Sequence, residues 1–559
     1  MSSGSPASKL ARALAVYAIA LAAVCAAVVS AVSLRPLSGG RREIVATVWR
    51  GGQAVARAVV GSPGESAPPL DEALRQGGEL VLEEIVADAP IVTGVEAVFA
   101  MSLVPARDGV RVTLDGRVAY VTPDDLLSAQ AYDKGIQLGG LGVSTGVDVQ
   151  LVLALLADRL HAPVPVLRER ASIRRVRVER TRPSSPPPPR VTAESLTNEI
   201  VRASALDLAR YLARGLNDKG RFRYLVDAPT NRALSGYDWP RHAGATYFLA
   251  QAAALSGDAA LRAAALHAAS VLRDQSLIAC GDATCVDSGS TIEIGSSALA
   301  AIAFVEIART GIDPSYAEPA RALAGFLRAQ QRADGEFMHY FDRKSRKPVD
   351  VQLLYFSGEA TLALSRVHAL LGDPRDLDGA RRGLAHLVGP AWSFFGSRYY
   401  FGEEHWTCQA VDDLWRRAPD PAALDFCLRW HAYGRRLQHT AGDSPHDSEG
   451  AYSADPVVTP RLTPVASRCE AGIATLAAGR AAGTDPGELR ALDQQLRRSL
   501  ALLVRKQFRP GPSHLFADPA AVYGAMPGSE VDWQLRIDYA QHAGSAMIRW
   551  LDLSDERAR

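Results

Sequence analysis

From Thr197 to the C-terminus the apolar positions recur with helical spacing, and two kinds of helical segment alternate. One kind is apolar or small on nearly every side, as in RHAGATYFLAQAAAL, TIEIGSSALAAIAFVEIA, LLYFSGEATLALSRV, HWTCQAVDDLW, PVASRCEAGIATLAAG and RIDYAQHAGSAMIRWL. The other carries charges on one face, as in DAALRAAALHAASVLRDQ and PGELRALDQQLRRSLALLVRKQ. All-round apolarity suits a helix buried in an inner layer, and amphipathicity suits an outer layer facing water. Short turns lead out of the first kind: Gly257-Asp258, Gly311-Ile312-Asp313-Pro314, Gly372-Asp373-Pro374, Pro419-Asp420-Pro421 and Gly483-Thr484-Asp485-Pro486. Each sets a helix-stopping residue before an aspartate that caps the next helix, usually with proline at its first position. Long connections rich in glycine, proline, aromatics and acids lead into the first kind. Six repeats of outer helix, long loop, inner helix and short turn, at steps of about 51 to 72 residues, predict an (α/α)6 toroid over 195–553 with every long loop on one face.

The chain before the toroid differs in period. Runs such as EIVATVWRGG and GVRVTLDGRVAYV alternate in the manner of strands, while LDEALRQGGELVLEEI and DVQLVLALLADRL have helical spacing, so 36–182 reads as a small α/β accessory domain. Four consecutive prolines in TRPSSPPPPR stiffen a linker over 183–190. At the other end, after a short tail over 1–12, residues 13–34 carry no charge and are long enough to cross a bilayer as a helix. The run is longer than a usual signal-peptide core, which favours an uncleaved single-pass anchor.

Composition narrows the function classes. Among 559 residues, 62 basic and 61 acidic side chains leave a net charge of +1, so no long-range field draws in nucleic acid. Cys280 and Cys285 bracket a short loop, and a disulfide there would place the bulk of the protein outside the cytoplasm.

In a toroid the inner helices run parallel, so their first turns converge on one cavity. Those turns hold Asp238, Arg241 and His242; Glu293 and Ser296; Tyr355 and Glu359; Glu404, His405, Trp406 and Cys408; Arg468, Cys469 and Glu470; and Arg536, Asp538, Tyr539 and His542. Helix N-termini add positive partial charge and unpaired N–H donors, which suit anionic or hydroxyl-rich ligands. Glycoside hydrolysis there would need two carboxyl groups about 5 to 9.5 Å apart. Proton transfer at a sugar carbon would need a base, a cation and a donor on the opposite face. Cys408, Cys469 and His542, with His405 nearby, form an alternative set for zinc.

The repeat architecture resembles the six-hairpin glycosidase and epimerase superfamily. Within it, LRIDYAQH over 535–542 resembles a segment near the C-terminus of the D-glucuronyl 5-epimerases. The resemblance implies a carbohydrate site in the cavity, with Tyr539 as proton carrier, its pKa lowered by arginine. Arg536 would then hold a carboxylate and His542 would orient the substrate. The expected catalytic set is Tyr539, His542, Asp538, Glu359 and Glu470, and the expected binding set is Arg536, His242, Asp238, Glu293, Glu404 and Trp406. As the sixth inner helix closes the ring, Asp538, Tyr539 and His542 are expected near His242 and Asp238. The expected protein is thus a membrane-anchored hydrolase, lyase or epimerase, without cofactor, that processes an envelope or extracellular polysaccharide. Two other readings stay open: a non-catalytic glycan-binding scaffold, and a zinc-dependent cyclase-like toroid.

Overall fold

The computed structural model describes residues 33–37, 43–65, 67–132, 136–138, 141–143, 146–184, 188–390, 405–442, 447–453, 459–509 and 513–558. Apart from Ser33 and Leu34, the expected membrane span over 13–34 lies outside these residues, as does Glu404. Among the described residues no single helix is long and apolar enough to cross a membrane. The chain forms two compact units that divide between residues 187 and 188, within the proline-rich stretch.

The first unit is built on an antiparallel sheet. Its strands are β1 (Arg35–Pro36), β2 (Glu43–Arg50), β3 (Gln53–Val60), β4 (Glu79–Pro90), β5 (Asp108–Leu114), β6 (Arg117–Val121) and β7 (Ser172–Thr181). The spatial order is β3-β2-β4-β7-β5-β6, with β1 paired to β4. Strand alternation sends Ile44, Ala46 and Val48 to one face, against Leu70 and Leu82. It sends Val45 to the other face, against Ile85 and Val176.

Among the described residues the second unit has twelve main helices in the alternating order that the sequence pattern predicts. The outer helices are α1 (Asn198–Arg214), α3 (Ala259–Ser276), α5 (Ala317–Ala329), α7 (Pro374–Val388), α9 (Pro421–Arg435) and α11 (Pro486–Lys506). The inner helices are α2 (Trp239–Ser256), α4 (Ile294–Arg309), α6 (Phe356–Leu371), α8 (His405–Trp415), α10 (Leu462–Ala482) and α12 (Ile537–Ala558). Each inner helix packs on the next, and α12 packs back on α2, so the ring is closed.

Local chemistry sets the helix ends. Gly257, Gly372 and Gly483 adopt the left-handed conformation at the ends of α2, α6 and α10, at φ of 67°, 74° and 72°. Immediately beyond, Asp258, Asp373 and Asp485 accept hydrogen bonds from the first-turn N–H groups of α3, α7 and α11. Small residues let the inner layer close up: a Cβ on Gly544 of α12 would collide with the Phe248 ring of α2. In α4 every residue from Ile294 to Ile307 is buried, as expected for a helix surrounded by neighbours.

A small sheet seals the seam between the first and last repeats. Strand β8 (Leu225–Asp227) pairs antiparallel with β9 (Gln534–Arg536), placing Leu225 opposite Arg536 just before α12 begins.

Two disulfides cross-link the second unit. Cys280 and Cys285 bond across a β-hairpin. Cys408 bonds to Cys427 with an S–S distance of 2.09 Å, tying inner α8 to outer α9 across a sequence separation of 19. Loop-closure entropy for a loop of that length is worth about 3 kcal/mol. Replacing both Cys408 and Cys427 by serine is therefore expected to lower the unfolding free energy by about that amount in urea titrations. Unchanged unfolding would show that the bridge constrains nothing.

Candidate active site at the helix mouth

Three inner helices bring their polar side chains to one point. His405 opens α8, Glu470 lies two turns into α10, and His542 lies in the second turn of α12. Their ligating atoms all fall within 4.8 Å of one another, and all three residues are buried. His542 Nδ1 is 2.7 Å from Glu470 Oε2, and His405 Nε2 is 3.9 Å from the same oxygen. A carboxylate only accepts hydrogen bonds, so Nδ1 of His542 carries the proton in this bond and Nε2 keeps the lone pair in the neutral ring. The two imidazoles meet edge to face with centroids 5.1 Å apart, and the Trp406 ring packs 5.8 Å from His542. Burial alone would raise the pKa of Glu470. The neighbouring His542 and His405 outweigh it and hold the carboxyl below the ordinary glutamate value.

A second polar group lies at the seam between α2 and α12. Arg536 donates to both oxygens of Asp538, at 2.6 and 2.8 Å. Arg241 approaches the same carboxylate at 3.4 Å and also pairs with Asp238. Asp238 caps α2 and accepts from the Tyr224 hydroxyl at 2.5 Å. Asp538 is buried, which would raise its pKa, yet Arg536 and Arg241 bring it below the usual aspartate value. This carboxylate is therefore held ionised by two guanidinium groups.

Tyr539 turns the other way. Its hydroxyl accepts from Arg461 Nη2 at 2.9 Å, and the Arg536 guanidinium sits 4.8 Å from the ring centre. Its pKa is raised rather than lowered, because burial outweighs the attraction of the two arginines. The expectation of an arginine-activated phenolate at Tyr539 is corrected on this point.

The expected neighbourhood of the sixth inner helix is met in part. Asp538 shares Arg241 with Asp238, but His542 reaches toward Glu470 and Tyr539 toward Arg461. His242 faces the outer layer: its Nδ1 is 2.6 Å from the Tyr237 hydroxyl and its Nε2 is 2.9 Å from the Ala268 carbonyl in α3. The carbonyl requires a proton on Nε2, so Nδ1 accepts from the tyrosine, and both ring nitrogens are used in packing.

Among the remaining expected residues, Glu359 is buried in α6 above Gly295, where any Cβ would collide with its carboxylate. Glu293 lies half-buried at the start of α4 with a raised pKa, first through burial and then through Asp238. The set of Cys408, Cys469 and His542 is not assembled. Cys408 is committed to its disulfide, and burial raises the pKa of the Cys469 thiol, which lies beside Ser499 of outer α11.

Sequence reasoning passed over Tyr224 and Arg461, which stand in loops rather than in the first turns. A buried Ser357–His339–Glu336 group also escaped it. There the Leu353 N–H donates to His339 Nδ1, so His339 Nε2 donates to Ser357 and Ser357 in turn to Glu336. That direction of donation is opposite to the one that activates a serine nucleophile.

No known family model and no curated protein matches the sequence. Solved structures with a similar fold include a cellobiose 2-epimerase from Bacillus thermoamylovorans, at 11% identity and TM-score 0.48, covering 64% of this chain and 100% of that one. A D-mannose isomerase matches at 11% identity and TM-score 0.48, over 63% of this chain and 97% of that one. An unsaturated glucuronyl hydrolase specific for heparin matches at 11% identity and TM-score 0.46, over 64% of this chain and 99% of that one. Likenesses at this level carry no inference about activity. The closed ring of six inner helices, each with its outer partner, makes the second unit an (α/α)6 toroid.

Proposed function

We propose that the toroid processes a carbohydrate by proton transfer at a carbon next to a carbonyl or carboxylate, with His405 and His542 as the acid–base pair. The observation that carries this reading is the 2.7 Å contact between His542 Nδ1 and Glu470, with a second imidazole edge-on to the first. Glu470 fixes the tautomer, so that Nε2 of His542 can take a proton from carbon. The other imidazole can return a proton to the opposite face, which inverts the centre, or protonate a leaving oxygen, which eliminates it. Hydrolysis is less well served, because Glu470, Asp538 and Asp238 are each engaged by a histidine or an arginine.

The substrate in this reading is an envelope or extracellular polysaccharide. The chain is anchored by residues 13–34, the first unit is an accessory domain, and the bulk of the protein lies outside the cytoplasm. Two disulfides support an oxidising compartment.

The test is incubation of the full-length chain with a panel of uronate-containing and reducing saccharides in deuterated water. Inversion is expected to place deuterium at the carbon next to the carbonyl or carboxylate without new reducing ends, and elimination to give new reducing ends together with an unsaturated sugar. New reducing ends with neither exchange nor an unsaturated sugar would overturn the proposal in favour of hydrolysis.

A second reading rests on the same geometry. Two imidazoles and a carboxylate within 4.8 Å are also a donor set for zinc. Stoichiometric zinc that survives dialysis, with activity lost on chelation and restored by zinc, would favour it.

A further inference from the structure

The toroid has a second polar mouth. At the end opposite the His405–Glu470–His542 cluster, a cavity of about 590 Å³ is lined by residues from all six inner helices, mostly from their C-terminal halves. That volume lies in the range of small-molecule sites. Five arginines and four carboxylates line it, an excess of one positive charge.

The arginines are not fully spent on the carboxylates. Arg366 is 9% exposed. It uses Nε on Asp413 at 2.9 Å and Nη2 on Gln409 at 3.3 Å, and it lies over the Tyr247 ring, while Nη1 has no hydrogen-bond partner. Arg549 reaches Asp412 only at 3.7 Å, and its Nε is likewise unpartnered. Buried guanidinium donors without acceptors cost free energy, and a charged wall is a poorer way to stabilise a core than apolar packing. An oxyanion entering the cavity would supply the acceptors, since a guanidinium fork matches a planar carboxylate or a phosphate.

The rest of the wall limits what can follow that anion. The inner helices direct the negative ends of their dipoles toward this mouth, and Glu306, Asp413 and Asp552 stand among the arginines. A polyanion would be repelled, whereas hydroxyl groups could donate to these acceptors. We propose that this mouth is a second binding site, for a monoanionic polyol of the sugar-acid class. It is separate from the site of the proposed proton transfer.

The experiment is calorimetric titration of the full-length chain with D-glucuronate, D-glucose and inorganic phosphate. Binding of glucuronate is expected, with glucose weaker by at least about tenfold. Arg366→Leu, which removes the fork, and Ala369→Trp, which fills the mouth without removing charge, are each expected to weaken glucuronate by a similar factor. Should Arg366→Leu fail to fold, Ala369→Trp decides. A doubly substituted His405→Gln/His542→Gln chain is expected to bind glucuronate as the parent does, which keeps the outcome independent of the proposed reaction. The site is overturned if no probe binds the parent at about 10 mM. It is equally overturned if affinity falls in the histidine variant but in neither cavity variant. Phosphate binding as tightly as glucuronate, with the same dependence on Arg366, would overturn the sugar-acid assignment.

Discussion

His542→Gln should lower turnover on any saccharide the parent processes by about 10² to 10⁴, the usual contribution of a positioned acid or base. Glutamine fills similar space but cannot take or release a proton, so circular dichroism and melting behaviour should stay close to the parent's. Glu470→Gln should lower turnover as well, because the carboxylate that orients the His542 ring at 2.7 Å becomes an uncharged amide. Tyr539→Phe separates this assignment from the one suggested by the local sequence resemblance. If the histidines move the proton, the phenylalanine variant loses only the hydroxyl contact to Arg461 and keeps most of its activity. A Tyr539→Phe chain that is dead, beside an active His542→Gln chain, would remove the histidine mechanism.

The toroid should also lose stability in mild acid. Burial lowers the pKa of His242 to about 4 and that of His431 to about 3, against an ordinary value of 6.5. Both rings are neutral when folded, whereas in the unfolded chain they take up protons as the pH falls through 6.5. Their contribution is therefore complete above pH 6.5 and declines as the pH drops toward 4 and 3. At pH 5 each ring accounts for about 2 kcal/mol of lost stability, so urea midpoints at pH 7.5 and 5 should differ clearly. His242→Phe should reduce the difference, although it also removes the bonds to Tyr237 and Ala268. An unaltered pH dependence in that variant would show that His242 is not responsible.

The helix pairs were legible because their ends are written locally. Aspartates 258, 373, 420 and 485 follow residues that stop the preceding helix, and each caps the next one. The facing of individual side chains was much less so. Arg468, Cys469 and Glu470 follow one another, yet Glu470 meets His542 while Arg468 stacks between Trp430 and Tyr452 and Cys469 lies beside outer α11. Successive helical residues point about 100° apart, and the rotation of a helix in its ring is fixed by packing against four neighbours rather than by its own sequence. Cys408 gave no sign of its partner for the same reason, because the Cys427 contact exists only once α9 lies against α8. Likewise, the pairing of β8 with β9 joins segments from opposite ends of the toroid, which no local pattern records.

That last pairing bears on the order in which the protein is made. The helix that closes the ring, α12, is the last of the toroid's helices to be synthesised, and it packs on α1 and α2, the first two of the toroid to emerge. Until it arrives, α2 and α10 each present an apolar flank with no partner, so an incomplete chain is an open ring with exposed edges. Closure of the ring is thereby postponed until all six repeats have been made, and until then the growing chain is open to contact with others of its kind.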